Sequence, residues 1–297
     1  MKKARVSLVK TSDRAFGVTK AIDLLEPDGI RGKQILLKPN FNTADPTPGS
    51  THNDTLRQLI MELKNRDARK ISIGERSYHL TEKVMEEKGI YSLAHDLGVN
   101  IINFDHLKPE DWVLIRPEHS HWKDGFRVAR PILEAESVVT TCCLKTHRHG
   151  GFFTLSLKLS VGTLPIRGYP YMDELHSSVD QRKMIAELNQ AYSPVLIVLD
   201  GIDAFVDGGP DKGTRKSGNV MLAGSDRVAI DAVGVAILKE LGSNEAIMSK
   251  KIFQQEQIAR AAEIGLGVNA PEMIEIITGD EESETYAKGI RLILAQG

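Results

Sequence analysis

The stretch ESVVTTCCLKTHRHGG (residues 136–151) passes from an apolar run to a cluster of cationic side chains within a few positions. Its first half has the β-branched and apolar composition of a buried strand. Its second half places Lys145, His147, Arg148 and His149 directly after that strand. A polar cluster in this position is typical of an α/β protein that binds its ligand at the carboxyl ends of parallel strands.

Apolar strands of the same kind recur along the chain and alternate with segments of helical pattern. They include KQILLKP (33–39), KISIGE (70–75) and PVLIVLD (194–200). This alternation predicts an α/β fold, with a mostly parallel sheet and crossover helices. The length of 297 residues favours two lobes, residues 1–135 and 136–297, and leaves one continuous domain as the alternative.

The composition excludes several classes of protein. The net charge of -2 gives no general attraction for nucleic acid or for a membrane surface, so anion binding must come from a local cluster. The two cysteines, Cys142 and Cys143, are adjacent, which excludes a disulfide framework and favours buried strand positions. The sequence shows neither a signal peptide nor an apolar run long enough to span a bilayer, so it predicts a cytoplasmic location.

Polar residues follow four of the predicted strands. Lys38, Glu75, Lys145 and Asp200 stand at or just after the ends of these strands. Because the carboxyl ends of parallel strands meet at one edge of a sheet, the four clusters are expected to surround a single cleft. The alternative is that these are ordinary polar loops, which follow most strands.

The loop at 40–54 is a candidate for binding a carboxylate or a phosphate. It follows Lys38 and carries Asn40, Ser50 and Thr51, and small side chains of this kind let backbone amides approach an anion. The pattern of a phosphate-binding P-loop is absent. The alternative is a structural loop in which Ser50 or Thr51 caps the next helix.

The cluster after the 136–143 strand allows two interpretations. Lys145 and Arg148 together predict an anion site. His147 and His149 lie two positions apart, so an extended backbone points both rings to one side, where they could bind a metal ion. Both interpretations remain open from the residues alone.

Two acidic residues are candidates for metal binding. Glu75 follows a strand directly, where a carboxylate could bind a metal, accept a proton or form an ion pair. Asp200 ends the most apolar strand and is followed by Asp203 and Asp207, a set that could bind a hard cation. The alternative at this second position is a hairpin that turns at GGPDKG (208–213).

GGFFTLSLKLSVGTLP (150–165) predicts the start of a helix that carries Lys158 between two leucines. A lysine in apolar surroundings loses its charge readily and becomes a nucleophile, whereas a lysine at the surface keeps its amine in water. His176 follows 18 positions later.

Several segments together resemble the family called domain of unknown function 362: KPNF (38–41), PTPGSTHND (46–54), VVTTCCLKTHRHGGFFTLSLKLSVG (138–162) and VLDGIDAFVDGGP (198–210). Members commonly have an asparagine where this chain has Leu159. Many relatives carry a ferredoxin-like run of cysteines that this chain lacks, so the resemblance implies no iron–sulfur cluster here.

A more distant resemblance is to the nickel-pincer lactate racemase family. ADPTPG (44–49) is similar to the substrate loop of that family but lacks its arginine. The resemblance implies that His147 is catalytic, that Lys158 anchors a cofactor and that His176 binds a metal.

The sequence therefore favours an enzyme that acts on a small anionic ligand, with His147 and Lys158 as catalytic residues. Lys38, Asn40, Ser50, Thr51, Lys145 and Arg148 would bind the anion, and His149, His176, Asp200 and Glu75 are the candidate metal ligands. The alternative is a non-catalytic metal-binding, anion-binding or accessory protein. The identity of any cofactor stays open, with a divalent metal as one candidate, and so does a homo-oligomeric state.

Overall fold

The computed structural model of the chain describes residues 3–150 and 152–297. Its strands are β1 (Ala4–Lys10), β2 (Gln34–Lys38), β3 (Lys70–Glu75), β4 (Asn100–Asn103), β5 (Trp112–Ile115), β6 (Phe126–Ala129), β7 (Ser137–His147), β8 (Phe152–Thr154), β9 (Pro194–Gly208), β10 (Gly213–Ser217), β11 (Val220–Gly224) and β12 (Ile274–Ile277).

The α-helices are α1 (Arg14–Leu25), α2 (Asn53–Asn65), α3 (Thr81–Glu87), α4 (Ile90–Asp96), α5 (Arg130–Leu133), α6 (Ser156–Leu159), α7 (Tyr171–Ser177), α8 (Gln181–Glu187), α9 (Arg227–Glu240), α10 (Glu245–Met248), α11 (Glu256–Glu263) and α12 (Glu281–Gln296). Short 3₁₀ segments lie at Phe104–His106, Pro109–Asp111, Ser160–Thr163, Leu188–Ala191, Ile252–Gln254 and Pro271–Met273. Within the described residues, none of these helices combines the length and apolar character that a membrane crossing requires.

One large sheet organises the fold, and its strands follow the order β12-β1-β11-β9-β7-β2-β3-β4. The pairs β12-β1, β9-β7, β7-β2, β2-β3 and β3-β4 are parallel, and β11 is antiparallel to both of its neighbours. β8 and β10 extend β7 and β9 as antiparallel hairpin partners, and β5 and β6 form a separate pair. The predicted α/β class with a mostly parallel sheet is confirmed.

The division of the chain into two lobes is not confirmed by this arrangement. β1 belongs to the first half of the chain, yet it lies between β11 and β12 of the second half. β2 of the first half likewise pairs with β7 of the second half. Strands from both sides of residue 135 therefore share one sheet, and a boundary at that position stays a prediction.

Both faces of the central sheet are covered, which explains the unbroken apolar run of β9. Ile197 and Leu199 pack into a core with apolar residues of α9 and α12. Leu196 and Val198 point the other way, into a core with residues of α1 and α2. A strand buried on both faces has no solvent side, so its sequence does not alternate between apolar and polar residues.

The predicted helix at 150–165 is wrong in its first part. Phe152–Thr154 is the strand β8, and it pairs with the end of β7 in the register Lys145↔Thr154 and His147↔Phe152. Phe153 is fully buried in the core beside α9, and this non-local packing outweighs the local helical pattern. Helix begins only at Ser156, as the single turn of α6.

The glycine-rich segment after β9 forms a hairpin with β10, which is the alternative that the sequence left open beside a cation site. Gly209 has a φ of +61°, and a Cβ at this position would lie 2.1 Å from the backbone oxygen of Thr146. The close approach brings this hairpin against the end of β7, next to the cationic cluster of that strand. Only glycine combines this backbone conformation with this contact.

Gly209→Ala is therefore expected to destabilise the protein by more than the strain of a positive φ alone. Gly32→Ala is the matched control, because Gly32 has a φ of +71° with nothing within 4 Å of an added Cβ. We expect the loss in the free energy of unfolding to be larger at Gly209 by at least about 1 kcal/mol, since overpacking adds to the backbone strain. Urea unfolding measures both variants, and equal losses would contradict the close contact.

Candidate functional site

The carboxyl ends of β2, β3 and β7 surround a small cavity of about 110 Å³, and residues of α6 complete its lining. The described lining includes seven residues that the sequence singled out: Lys38, Asn40, Glu75, Lys145, His147, Lys158 and His176. The meeting of distant strand ends around one cleft is thus observed for three of the four predicted clusters. The fourth cluster, at Asp200, lies elsewhere.

A buried ion pair joins the ends of β2 and β3. Lys38 Nζ lies 2.5 Å from Glu75 Oε1, and both side chains are almost fully buried. The same carboxylate accepts hydrogen bonds from the backbone N–H groups of Phe41 and Arg76, each at 2.8 Å. Burial lowers the pKa of Lys38, and the attraction of Glu75 opposes this effect. Of the roles that the sequence left open for Glu75, the structure shows the ion pair, which is buried and fixes the loop after β2.

Arg76 was not assigned a role from the sequence. Its side chain is buried, and its guanidinium donates to the carbonyl oxygens of Leu164 at 2.9 Å and of Val161 at 2.5 Å. These bonds fasten the segment after α6 to the end of β3. The only sequence signal was its position directly after Glu75, and its carbonyl partners lie more than 80 residues away.

Lys145 extends from the end of β7 and is almost fully buried. Its Nζ donates to the backbone oxygen of Gly49 at 2.5 Å and lies 3.5 Å from that of Pro210. The amine thus connects the loop after β2 with the hairpin after β9. Burial lowers its pKa, since removal from water disfavours the charged form.

Lys158 lies in the turn of α6, and its side chain is buried against the cavity. The charged groups that act on its amine are Lys145 and Arg76, and both are cations. Burial and these two charges lower the pKa of Lys158 to about 8. The amine therefore exchanges a proton close to neutral pH.

Two buried polar residues hold the turn that carries Lys158. Asp231 of α9 accepts hydrogen bonds from the backbone N–H groups of Ser156 at 2.7 Å and of Leu157 at 3.2 Å. Asn189 donates to the backbone oxygen of Leu157 at 3.0 Å. The position of the lysine thus depends on groups from two distant segments. No local pattern in the sequence pointed to Asp231 or Asn189.

His147 is a neutral imidazole in this cavity. Burial lowers its pKa far below the usual range, and the cationic Lys158 and Lys145 lower it further. Its Nδ1 accepts a hydrogen bond from the backbone N–H of His149 at 3.3 Å. This partner assigns the ring proton to Nε2, so Nε2–H is a hydrogen-bond donor.

The remaining anion candidates are engaged outside this cavity. The Ser50 hydroxyl donates to the backbone oxygen of Thr43, and the Thr51 hydroxyl accepts from the backbone N–H of Asn40. Neither caps α2: that role belongs to His52, whose Nδ1 accepts from the N–H of Asp54. The alternative that Ser50 or Thr51 is the cap is therefore wrong. The exposed Arg148 pairs with Asp211 at 2.8 Å.

The candidate metal ligands do not form one cluster. Asp200 is fully buried and accepts from Arg14 Nε at 2.9 Å and from the Thr55 hydroxyl at 2.7 Å. The exposed His176 contacts the amide of Gln181 at 3.0 Å. Within the described residues, no group of three or more histidine, cysteine, aspartate or glutamate side chains could hold a metal ion. A metal role for Glu75, His149, His176 and Asp200 stays a prediction, and no chemical step below depends on it.

Fold and cavity define an α/β protein with a cationic pocket at the carboxyl edge of its parallel strands. The chain belongs to the family described as domain of unknown function (DUF362), whose sequence model matches residues 35–236. Gly151 of the resembling motif lies outside the described residues.

Two further similarities were found. A thylakoid-associated protein of Synechocystis sp. is 24% identical over 247 residues, which cover 79% of this chain and 74% of that protein. The apoprotein structure of lactate racemase from Thermoanaerobacterium thermosaccharolyticum aligns with a TM-score of 0.47 and 13% identity, covering 98% of this chain and 86% of that chain.

Glu75→Gln tests the buried ion pair. The substitution leaves the Lys38 ammonium buried without a counter-charge, and breaking such a pair typically costs about 3–5 kcal/mol. The matched control is Glu136→Gln, since the ion pair of Glu136 with Arg69 is exposed to solvent and contributes little to stability. Urea unfolding at pH 7 should show the large loss only for Glu75→Gln. If the free energy of unfolding falls by the same small amount in both variants, the buried pair of Lys38 and Glu75 contributes little to stability.

Proposed function

We propose that the protein binds a small carboxylate or phosphate in the cavity at the carboxyl ends of β2, β3 and β7, and acts on it as an enzyme. One observation carries the proposal. Among the described residues, the cavity lining holds four cationic side chains, Lys38, Arg76, Lys145 and Lys158, against the single carboxylate of Glu75. Cations that are removed from water and lack a counter-charge are unfavourable, and a bound anion would offset this cost.

The four cations have different roles in this proposal. Lys38 is paired with Glu75 and Arg76 with backbone carbonyls, so these two hold the walls and add to the positive potential. The Lys145 ammonium has three N–H donors, and two described carbonyl oxygens, those of Gly49 and Pro210, accept hydrogen bonds from it. For Lys158, the charged groups of the described chain that shift its pKa, Lys145 and Arg76, are both cations. Lys145 and Lys158 are therefore the groups that would contact the anion.

The chemistry proposed for the site is proton transfer. A general acid or base works best when its pKa lies near the working pH, and Lys158 has a pKa of about 8. Neutral His147 would donate a hydrogen bond through Nε2–H to an oxygen of the ligand. A non-catalytic anion-binding protein would use the same cations but would have no need of a proton-exchanging lysine. The cytoplasmic location and a homo-oligomeric state stay predictions.

Lys158→Met should weaken the binding of malonate or inorganic phosphate by about tenfold or more, because a hydrogen bond to a charged group contributes about 1.5–3 kcal/mol. Lys183→Met is the matched control: Lys183 is a partly exposed lysine of α8 that pairs with Asp180. Isothermal titration calorimetry measures the affinity of malonate and of inorganic phosphate for the wild-type protein and for both variants. The proposal fails if the wild-type protein binds neither probe, or if both variants bind as the wild type does.

The affinity for malonate should also depend on pH with a defined sign. The Lys158 ammonium predominates below its pKa of about 8 and the neutral amine above it. Malonate keeps its charge from pH 7 to pH 9, so its affinity for the wild-type protein should fall as the pH rises through about 8. Lys158→Met should give a flatter profile. A wild-type profile without this fall would remove Lys158 from the anion contacts.

A further inference from the structure

A second, larger cavity opens beside the inner one. It has a volume of about 650 Å³ and lies between the loop after β2, the loop after β3 and the hairpin after β9. Asn42, Tyr78 and Pro210 line both cavities. The inner cavity and this outer groove are therefore adjacent and meet at the three shared residues, and together they are called the cleft.

The two parts differ in what they can hold. Sites for drug-sized ligands have volumes of about 300–1,000 Å³. The inner cavity, at about 110 Å³, lies well below this range, and the outer groove lies within it. A ligand whose charged group enters the inner cavity would therefore place any larger body in the outer groove.

Hydrogen bonds between separate loops hold the walls of the outer groove in place. The backbone N–H of Tyr78 donates to the backbone oxygen of Asn42 at 2.9 Å, which joins the loops after β3 and β2. On the opposite side, the backbone N–H of Arg148 donates to the oxygen of Gly209 at 3.2 Å, and its guanidinium pairs with Asp211. A groove fixed in this way loses little entropy when a ligand binds.

The junction carries an exposed aromatic ring. Tyr78 is 61% exposed, although its backbone is fixed by the bond to Asn42. The ring of His79 meets it edge-on, with centroids 5.2 Å apart and an angle of 72° between the planes. Among the large apolar side chains described as exposed, Tyr78 is the one that lines this cleft. An exposed aromatic ring beside a cationic cavity can pack against a planar group.

We propose that the ligand is an acid with a planar, aromatic body: its carboxylate or phosphate enters the inner cavity, and its ring lies in the outer groove against Tyr78. This inference rests on the proposed anion site and adds the class of molecule that the site takes. The carboxylates of Asp45 and Glu87 also line the outer groove and would accept hydrogen bonds from donors on that body.

Matched pairs of probes test the inference by calorimetric titration. Phenyl phosphate is compared with inorganic phosphate, and phenylmalonate with malonate, so each pair differs by one ring. In the wild-type protein the aromatic member should bind about fivefold tighter or more, because aromatic contacts add to the area that the ring buries. Cyclohexyl phosphate, which carries a saturated ring, should gain less than phenyl phosphate.

For each pair, the dissociation constant of the probe without a ring is divided by that of its phenyl analogue, and this ratio decides the outcome. Tyr78→Ala should bring the ratio close to one, whereas Tyr91→Ala should leave it unchanged, since Tyr91 is a partly exposed tyrosine on α4 outside the cleft. If malonate or phosphate binds but the wild-type ratio is near one, or the ratio survives in Tyr78→Ala, this inference is overturned and the anion site stands. If neither malonate nor phosphate binds, the anion site and this inference are both overturned.

Discussion

The buried ion pair between Lys38 and Glu75 is the constraint on which the rest of the site depends. It draws together the ends of two parallel strands, and the Glu75 carboxylate also orders the backbone of Phe41 and Arg76. Gly162 lies against this pair, where a Cβ would come within 2.8 Å of Lys38 Nζ. Because the pair uses the only carboxylate of the described inner lining, none is left in that lining for Lys145 or Lys158, and the carboxylates that act on Lys145, Asp45 and Asp211, line the outer groove instead.

Hydrogen bonds of neighbouring residues explain how the amine of Lys158 is held in a buried position, where its pKa is lowered. Arg76 is fixed by carbonyl oxygens of the segment that follows Lys158, and Asp231 and Asn189 fix the turn itself. Burial raises the pKa of Asp231 to about 7, so this group holds the turn through hydrogen bonds without a full counter-charge at neutral pH. The amine of Lys158 is thus kept in place by groups that do not neutralise it.

The sequence predicted the parts of the fold that depend on local pattern. β2, β3, β7 and β9 are apolar runs that end in polar residues, and this was enough to predict an α/β sheet and the meeting of three strand ends. The helix predicted from residue 150 was wrong because β8 pairs with β7 and buries Phe153. Asp200 does not line the cleft, because it is paired with Arg14 instead. Arg14 is 186 positions away in the sequence, so this pairing could not be predicted. Partners at such separations leave no trace in spacing or composition, and this is also why Asp231 and Asn189 were missed.

Anomalous diffraction from crystals soaked in selenate can locate an oxyanion in the inner cavity, because the selenium signal marks its position without reference to any assumed reaction. We expect a selenium peak in the inner cavity, with the selenate oxygens within hydrogen-bonding distance of the amines of Lys145 and Lys158. Selenium peaks confined to the outer surface, with the inner cavity holding only water, would contradict it.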